Sequence, residues 1–190
     1  MLARHSWLPG LLAVGALLPQ ARAGATEYTL DPARTVVTFE MRSMGSLQRG
    51  EFKQTAGTVM LDSAEQRGEL DIVIDARSLR TSTEATARFV RGPSMLDTEA
   101  HPEIAYKARH IVFSHGKPAR IEGELTLLGV TRAVPLQVSS YDCDDAAVQG
   151  ERCALVATAS VKRSAFGMTR YMLFASDDVQ LAIQAEGVSR

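Results

Sequence analysis

Apolar and polar positions alternate with a period of two through nearly every segment that follows Gly24. In 35–42, Val37, Phe39 and Met41 share one face while Thr38, Glu40 and Arg42 share the other. In 69–76, Leu70, Ile72, Ile74 and Ala76 stand opposite Asp71, Val73 and Asp75. The same rhythm runs through 121–128 (Ile121, Gly123, Leu125, Leu127) and 178–186 (Val179, Leu181, Ile183, Ala185). Side chains of a β-strand point alternately to its two faces, so each segment predicts a strand with one apolar and one wetted side. Further strands are expected at about 50–62, 103–113, 132–142 and 153–162, which brings the number to eight. Turns are expected at Glu65-Gln66-Arg67-Gly68 and Leu128-Gly129-Val130-Thr131.

Two stretches break the alternation. Within 81–97, Ser82-Thr83 precede Glu84-Ala85 and Ala87-Arg88, and Gly92-Pro93 follow, which predicts one short N-capped helix. The stretch 163–176, with Phe166-Gly167-Met168 inside it, is expected to be irregular. Eight one-sided strands can form a sandwich or close into an antiparallel barrel, and periodicity alone does not choose.

The first 23 residues follow a different logic. Arg4 and His5 precede an apolar run from Trp7 to Leu18, and Ala21-Arg22-Ala23 supplies small residues at a cleavage site. That run is shorter than the roughly 20 apolar residues a membrane span needs. The expectation is a cleaved export signal at 1–23 and one β-domain at 24–190, with the periplasm as destination. Export bears on Cys143 and Cys153, because an oxidising compartment permits pairing. The segment between them is polar and contains Gly150, as a hairpin loop would. A disulfide stapling two strand ends is expected, with two free thiols as the alternative.

A length of 190 residues allows one domain, and a formal net charge of -1 excludes a generic basic nucleic-acid binder. The spacings of His101, His110 and His115 put no pair at a ligand-like gap on one strand face, so no metal site is expected. Ser164, His101 and an aspartate could be drawn as a triad, but no Gly-x-Ser-x-Gly elbow is present. No catalytic residue is assigned. A small exported hydrolase and a ligand-free structural sandwich are the alternative readings.

The order of short motifs adds a resemblance. Tyr28-Thr29-Leu30-Asp31-Pro32 is followed by Val37-Thr38-Phe39, Gly50-Glu51-Phe52, Leu96-Asp97 and His101-Pro102-Glu103-Ile104. Then come the run from Gly123 to Thr131, Arg163-Ser164-Ala165-Phe166-Gly167-Met168, and Asp177-Asp178-Val179-Gln180-Leu181. Over 26–188 the chain resembles the YceI-like family of exported bacterial proteins. The resemblance implies an all-β, antiparallel, eight-stranded extended lipocalin-like barrel that carries a long isoprenoid lipid or quinone. It implies no enzyme activity and no other cofactor. A membrane protein is a candidate for delivering or receiving the lipid, and no nucleic-acid partner is implied.

On that reading the tunnel lining comprises Phe39, Met41, Phe52, Leu70, Ile72, Ile74 and Ile104 from the first half of the chain. Tyr106, Leu125, Leu127, Leu181 and Ile183 continue it, and Phe166 with Met168 caps it. Taken singly each reads equally as plain core. Small inward residues, Ala76 and Gly123, would leave room along the axis. Arg163, Ser164 and Arg91 are the head-group candidates, since a guanidinium and a hydroxyl could hold a diphosphate or a carbonyl. The alternative for Arg163 is a structural pairing near Asp177.

Overall fold

Alternation of this kind buries one side of each strand, and the computed structural model shows how the chain uses that side. The structure describes residues 24–144 and 150–189; the export signal expected at 1–23 lies outside the described residues. Twelve strands and one helix follow in chain order: β1 (Thr26–Leu30), β2 (Val36–Ser43), β3 (Ser46–Phe52), β4 (Thr55–Asp62), β5 (Arg67–Asp75), β6 (Leu79–Thr81) and α1 (Glu84–Arg91). The second half holds β7 (Glu103–Ser114), β8 (Lys117–Leu127), β9 (Val130–Ala133), β10 (Leu136–Asp144), β11 (Arg152–Lys162) and β12 (Asp178–Ser189).

Six of these strands are three long ones, bent. β1 and β2 both run antiparallel to β12, with Leu30 opposite Gly187 and Val36 opposite Gln184, so the chain turns aside only at 31–35. β3 and β4 are divided by Lys53-Gln54, and β5 and β6 by the 3-10 turn Ala76–Ser78. Each bent strand taken once, and β9 left aside because it pairs only with β8, the molecule is a closed, eight-stranded antiparallel barrel in which successive strands of the ring are neighbours in the sheet. The β1–β12 pairing closes it. Closure excludes the sandwich.

The expected strand at 132–142 is two pieces. Leu128 and Gly129 take positive φ values of 54° and 72°, and β9 folds back on β8 with Thr131 opposite Thr126. Pro135 then interrupts the ladder, because it has no N–H to give, and β10 starts at Leu136. The positive φ pair matches the tight hairpin turn that follows the strand twist. β1, β6 and β9 are too short for alternation to reveal.

The two ends of the barrel differ. At one end meet the 63–66 turn, the Gly116 turn, the Cys143/Cys153 hairpin and the ends of β1 and β12. At the other lie the Met44-Gly45 turn, α1 and the 163–176 stretch. α1 forms where expected: the Thr83 hydroxyl accepts from the Thr86 N–H, and the Gly92 N–H donates to the Phe89 carbonyl. It packs on β6 and buries Ala87. Leu79, Ala87, Leu96 and Phe166 are buried at this end, and Leu79, Leu96 and Phe166 belong to the continuous core that plugs it.

Between the ends, Gly123 serves a purpose other than the one expected of it. A Cβ there would lie 2.5 Å from the Cζ and the oxygen of Tyr106, because the phenol ring lies across the glycine. Gly123 therefore makes room for Tyr106 and not for the axis. Ala76, buried in the core cluster at the bend after β5, widens nothing either. The Tyr106 hydroxyl donates to the Val134 carbonyl at 2.8 Å, which satisfies the one polar atom of a buried ring. Gly123→Ala should cost about 1–3 kcal/mol, because the ring or the backbone must shift. Thermal unfolding checks this, with Tm expected to fall by roughly 2–4 °C per kcal/mol.

Candidate functional site

The inward side chains of the half of the barrel away from α1 do not meet at the axis. They line an apolar cavity of about 150 Å³. Leu70, Ile72 and Ile74 from β5, Tyr106 from β7, Leu125 from β8, and Leu181 and Ile183 from β12 all face it. These seven were expected as lining. Tyr28, Leu30, Val37, Val59, Leu61, Ile111, Ile121, Leu136 and Leu155 complete much of the wall. Aliphatic methyls dominate that wall, so it favours apolar contents through burial alone.

The other seven expected lining residues lie elsewhere. Phe52, Ile104 and Leu127 are buried in the continuous core, and Phe166 and Met168 are buried in the plugged end. Phe39 is half-buried, its ring close over Gly50 and 6.1 Å from that of Phe52. Met41 is half-buried further along β2. All seven follow the same inward pattern, but they sit toward the end that side chains fill. Phe166 and Met168 do cap an end, the closed one.

Two polar groups face the apolar space. Thr35 is buried, and its hydroxyl donates to the Glu186 carbonyl at 3.4 Å. Thr55 is 2% exposed and its hydroxyl has no protein partner among the described residues. A buried hydroxyl without a partner is costly, and Thr55 carries that cost at the cavity wall.

Tyr28, Leu61 and Tyr141 are shared between this cavity and a second space of about 360 Å³ at the disulfide end. That vestibule is polar: Thr26, Ser63, Lys117, Asp142, Cys143 and Glu151 line it. The Tyr28 hydroxyl donates to a Glu151 carboxylate oxygen at 2.5 Å. Burial first, and then the bonded and charged Glu151, push the Tyr28 phenol well above its ordinary range. Tyr141 is likewise raised, by burial and then by Glu151, and its hydroxyl donates to Cys153 Sγ at 3.4 Å. Both phenols therefore stay protonated and act as donors at the mouth. Lys117 Nζ donates to the Tyr141 carbonyl at 3.3 Å. Cys143 and Cys153 are bonded to each other and stand opposite in the β10–β11 register, so the disulfide ties the rim of the mouth. Carboxylate Glu151 lies near both sulfurs, but the thiols are consumed in the disulfide and supply no thiolate for a metal.

The head-group candidates are at the opposite end from this mouth. Arg163 is 1% exposed, and its guanidinium donates to four carbonyls: Ser176 from Nε at 2.9 Å, Met168 and Arg170 from Nη1 at 2.8 and 2.7 Å, and Ala175 from Nη2 at 3.3 Å. It is the spool around which 168–176 is wound. Ser164 gives its N–H and its hydroxyl to the Asp177 carboxylate at 2.8 and 2.7 Å. Those two bonds, the N–H first, hold the Asp177 carboxyl below its ordinary range, which makes it a poor base for the serine. Arg91 donates to the Arg77 and Leu79 carbonyls and pairs with Glu84, pinning α1 to β6. No hydrogen bond joins His101 to Ser164 among the described residues. His110 bonds Glu122 at 3.0 Å and His115 bonds Ser114 at 3.0 Å, both on the exposed surface.

Tyr28, Tyr141 and Glu151 were not singled out from the sequence. The available signal was a tyrosine on the inward face at each of two strand ends that converge on the cysteine hairpin.

A closed barrel with a polar-rimmed apolar cavity agrees with what the chain is similar to. Residues 28–187 match the model of the YceI-like domain. The chain belongs to that family. Among YceI relatives, Protein YceI of Salmonella arizonae is 27% identical over 187 residues, covering 96% of this chain and 97% of that protein. A UPF0312 protein of Serratia proteamaculans is 27% identical over 183 residues, covering 94% and 95%. In three dimensions the YceI-like barrel is similar to BcnA of Burkholderia cenocepacia, with a TM-score of 0.68 at 22% identity, covering 83% of this chain and 98% of that one. It is also similar to a polyisoprenoid binding domain from Saccharophagus degradans implicated in plant cell wall breakdown, with a TM-score of 0.65 at 15% identity, covering 86% and 98%. At those identities the likeness shows the fold.

If Arg163 is a structural spool, Arg163→Lys should lower stability by about 3 kcal/mol, since a compact ammonium cannot reach four carbonyls in a plane. Tm should fall by roughly 6–12 °C. The small-molecule content of the folded protein, measured by mass spectrometry, should stay unchanged, because the cavity lies at the other end.

Proposed function

We propose that the chain is an exported binding protein that carries a long-chain isoprenoid lipid, of the polyprenyl or isoprenoid-quinone type, in its barrel. One observation carries the reading: the inward aliphatic residues around Ile72 enclose free space when they could have met as solid core. Each methylene taken from water into such a wall gains about 0.8 kcal/mol, so affinity needs no polar constellation. The polar vestibule continues the cavity and suits the head of an amphiphile, with the Tyr28 and Tyr141 hydroxyls and Lys117 as the groups that meet it. The polyisoprenoid binding domain from Saccharophagus degradans, which shares the fold, supports this choice of lipid. Residues 1–23 support export to the periplasm, with a membrane protein as the donor or acceptor of the cargo. The role is transport and not catalysis.

Ile72→Trp distinguishes a cavity from solid core. A filled interior would lose about 1–3 kcal/mol to overpacking. The cavity beside Ile72 should instead receive the indole, so delipidated protein should melt within a few degrees of wild type while its uptake of ubiquinone or polyprenyl diphosphate is lost. A clear drop in Tm with uptake retained would place any lipid elsewhere.

A further inference from the structure

The plugged end of the barrel carries an exposed apolar surface with no counterpart elsewhere among the described residues. Leu173 is 93% exposed, Met44 83% and Phe174 61%. Phe89 of α1 and Tyr171 are also exposed, and their rings touch at a tilt with centroids 5.5 Å apart. Outside this end, Val112 is the one large apolar side chain among the described residues that is exposed. The surface is assembled from three segments that hold one another. The Met44 N–H donates to the Phe174 carbonyl at 2.7 Å, and the Ser176 N–H to the Arg42 carbonyl at 2.8 Å. Arg163 fixes the loop from beneath.

Charge follows the same geography. Arg42, Arg88 and Arg170 lie on these three segments, exposed, and none has an acidic partner among the described residues. Cations elsewhere on the barrel are commonly paired, as Lys107 is with Asp71 at 2.9 Å, Arg109 with Glu69 at 3.2 Å and Lys162 with Asp178 at 2.9 Å. Apolar side chains protruding from a hairpin tip and a loop, with free guanidinium groups beside them, match a deformable apolar medium under a negatively charged skin. We propose that this end docks on a bilayer bearing anionic headgroups, with Leu173, Phe174 and Met44 entering the acyl boundary and the arginines meeting the phosphates. The inference does not depend on what the cavity holds, since the vestibule is at the other end.

Co-sedimentation of the mature protein with phosphatidylcholine vesicles, with and without phosphatidylglycerol, tests it. Binding should be at least roughly tenfold stronger with the anionic lipid and should weaken with added salt. Leu173→Asp with Phe174→Asp should reduce it by roughly tenfold or more. Replacing Arg42, Arg88 and Arg170 together by Gln should remove the preference for phosphatidylglycerol. Leu173→Asp alone, at a side chain almost wholly in solvent, guards against misfolding and should act in the same direction. Val112→Asp, exposed but outside the surface, should bind like wild type. Absence of binding to both vesicles would overturn the proposal, as would binding indifferent to Leu173 and Phe174. Equally, a dimer in sedimentation velocity that the Leu173 variant dissolves, with no vesicle binding, would assign the surface to a second copy instead.

Discussion

Everything in this molecule depends on β12 being paired along both of its edges. Its full length runs beside β11, from Lys162 opposite Asp178 to Arg152 opposite Val188. Its other edge is shared, first by β2 and then by β1. The shared edge turns a sheet into a barrel. An eight-stranded barrel leaves an interior that side chains can fill or that can hold one small ligand, and which outcome holds depends on the residues at each level. Here both occur in one barrel. Phe166, Leu79 and Leu96 fill the end beneath α1, whereas aliphatic side chains of moderate size around Ile72 leave space at the end where β1 closes the ring.

That division gives each end a chemistry. The filled end buries Phe166, Leu79 and Leu96, and its surface is shaped by backbone carbonyls gathered on Arg163. The open end has protonated phenols, a lysine and a carboxylate around a disulfide-tied rim. An amphiphile held there would keep its apolar length against methyls and its head among polar groups, with no charge taken into the barrel interior.

Much of the fold was legible because a strand writes its burial into the chain at every second residue. Val37, Leu70, Ile74, Ile121 and Leu125 could be assigned to the inside from spacing alone, and α1 could be bounded from Thr83 and Gly92. The turn at 31–35 is local, with the Asp31 carboxylate accepting from the Ala33 N–H, but alternation did not tell that the strands on its two sides share one edge of β12. The bend at 53–54 is held from far along the chain, where the Ser78 hydroxyl accepts from the Lys53 and Gln54 N–H groups, so nothing local marks it. The split at Pro135 was legible in principle, since a proline inside a strand pattern argues for an edge or a break. The lining was half legible: alternation tells which side of a strand faces in, not at which level along the axis facing side chains meet. That is why Ile72 and Phe52 looked equivalent. Gly123 was misread because the atom that fills its space belongs to Tyr106, a partner set by register. For Arg163 the structural alternative was open from the sequence, but its partners were not. Its partners are main-chain carbonyls, which every residue possesses, so nothing in the side-chain sequence marks the guanidinium as engaged.

The account rests on the cavity being a place for one isoprenoid chain. Native mass spectrometry of protein recovered gently from the cells that make it measures this directly. The account predicts two populations, the mature polypeptide with its disulfide and the same polypeptide carrying one isoprenoid lipid, with the second removed by organic extraction. Protein that carries no lipid as isolated, and acquires none when refilled with isoprenoids of either type, would contradict it.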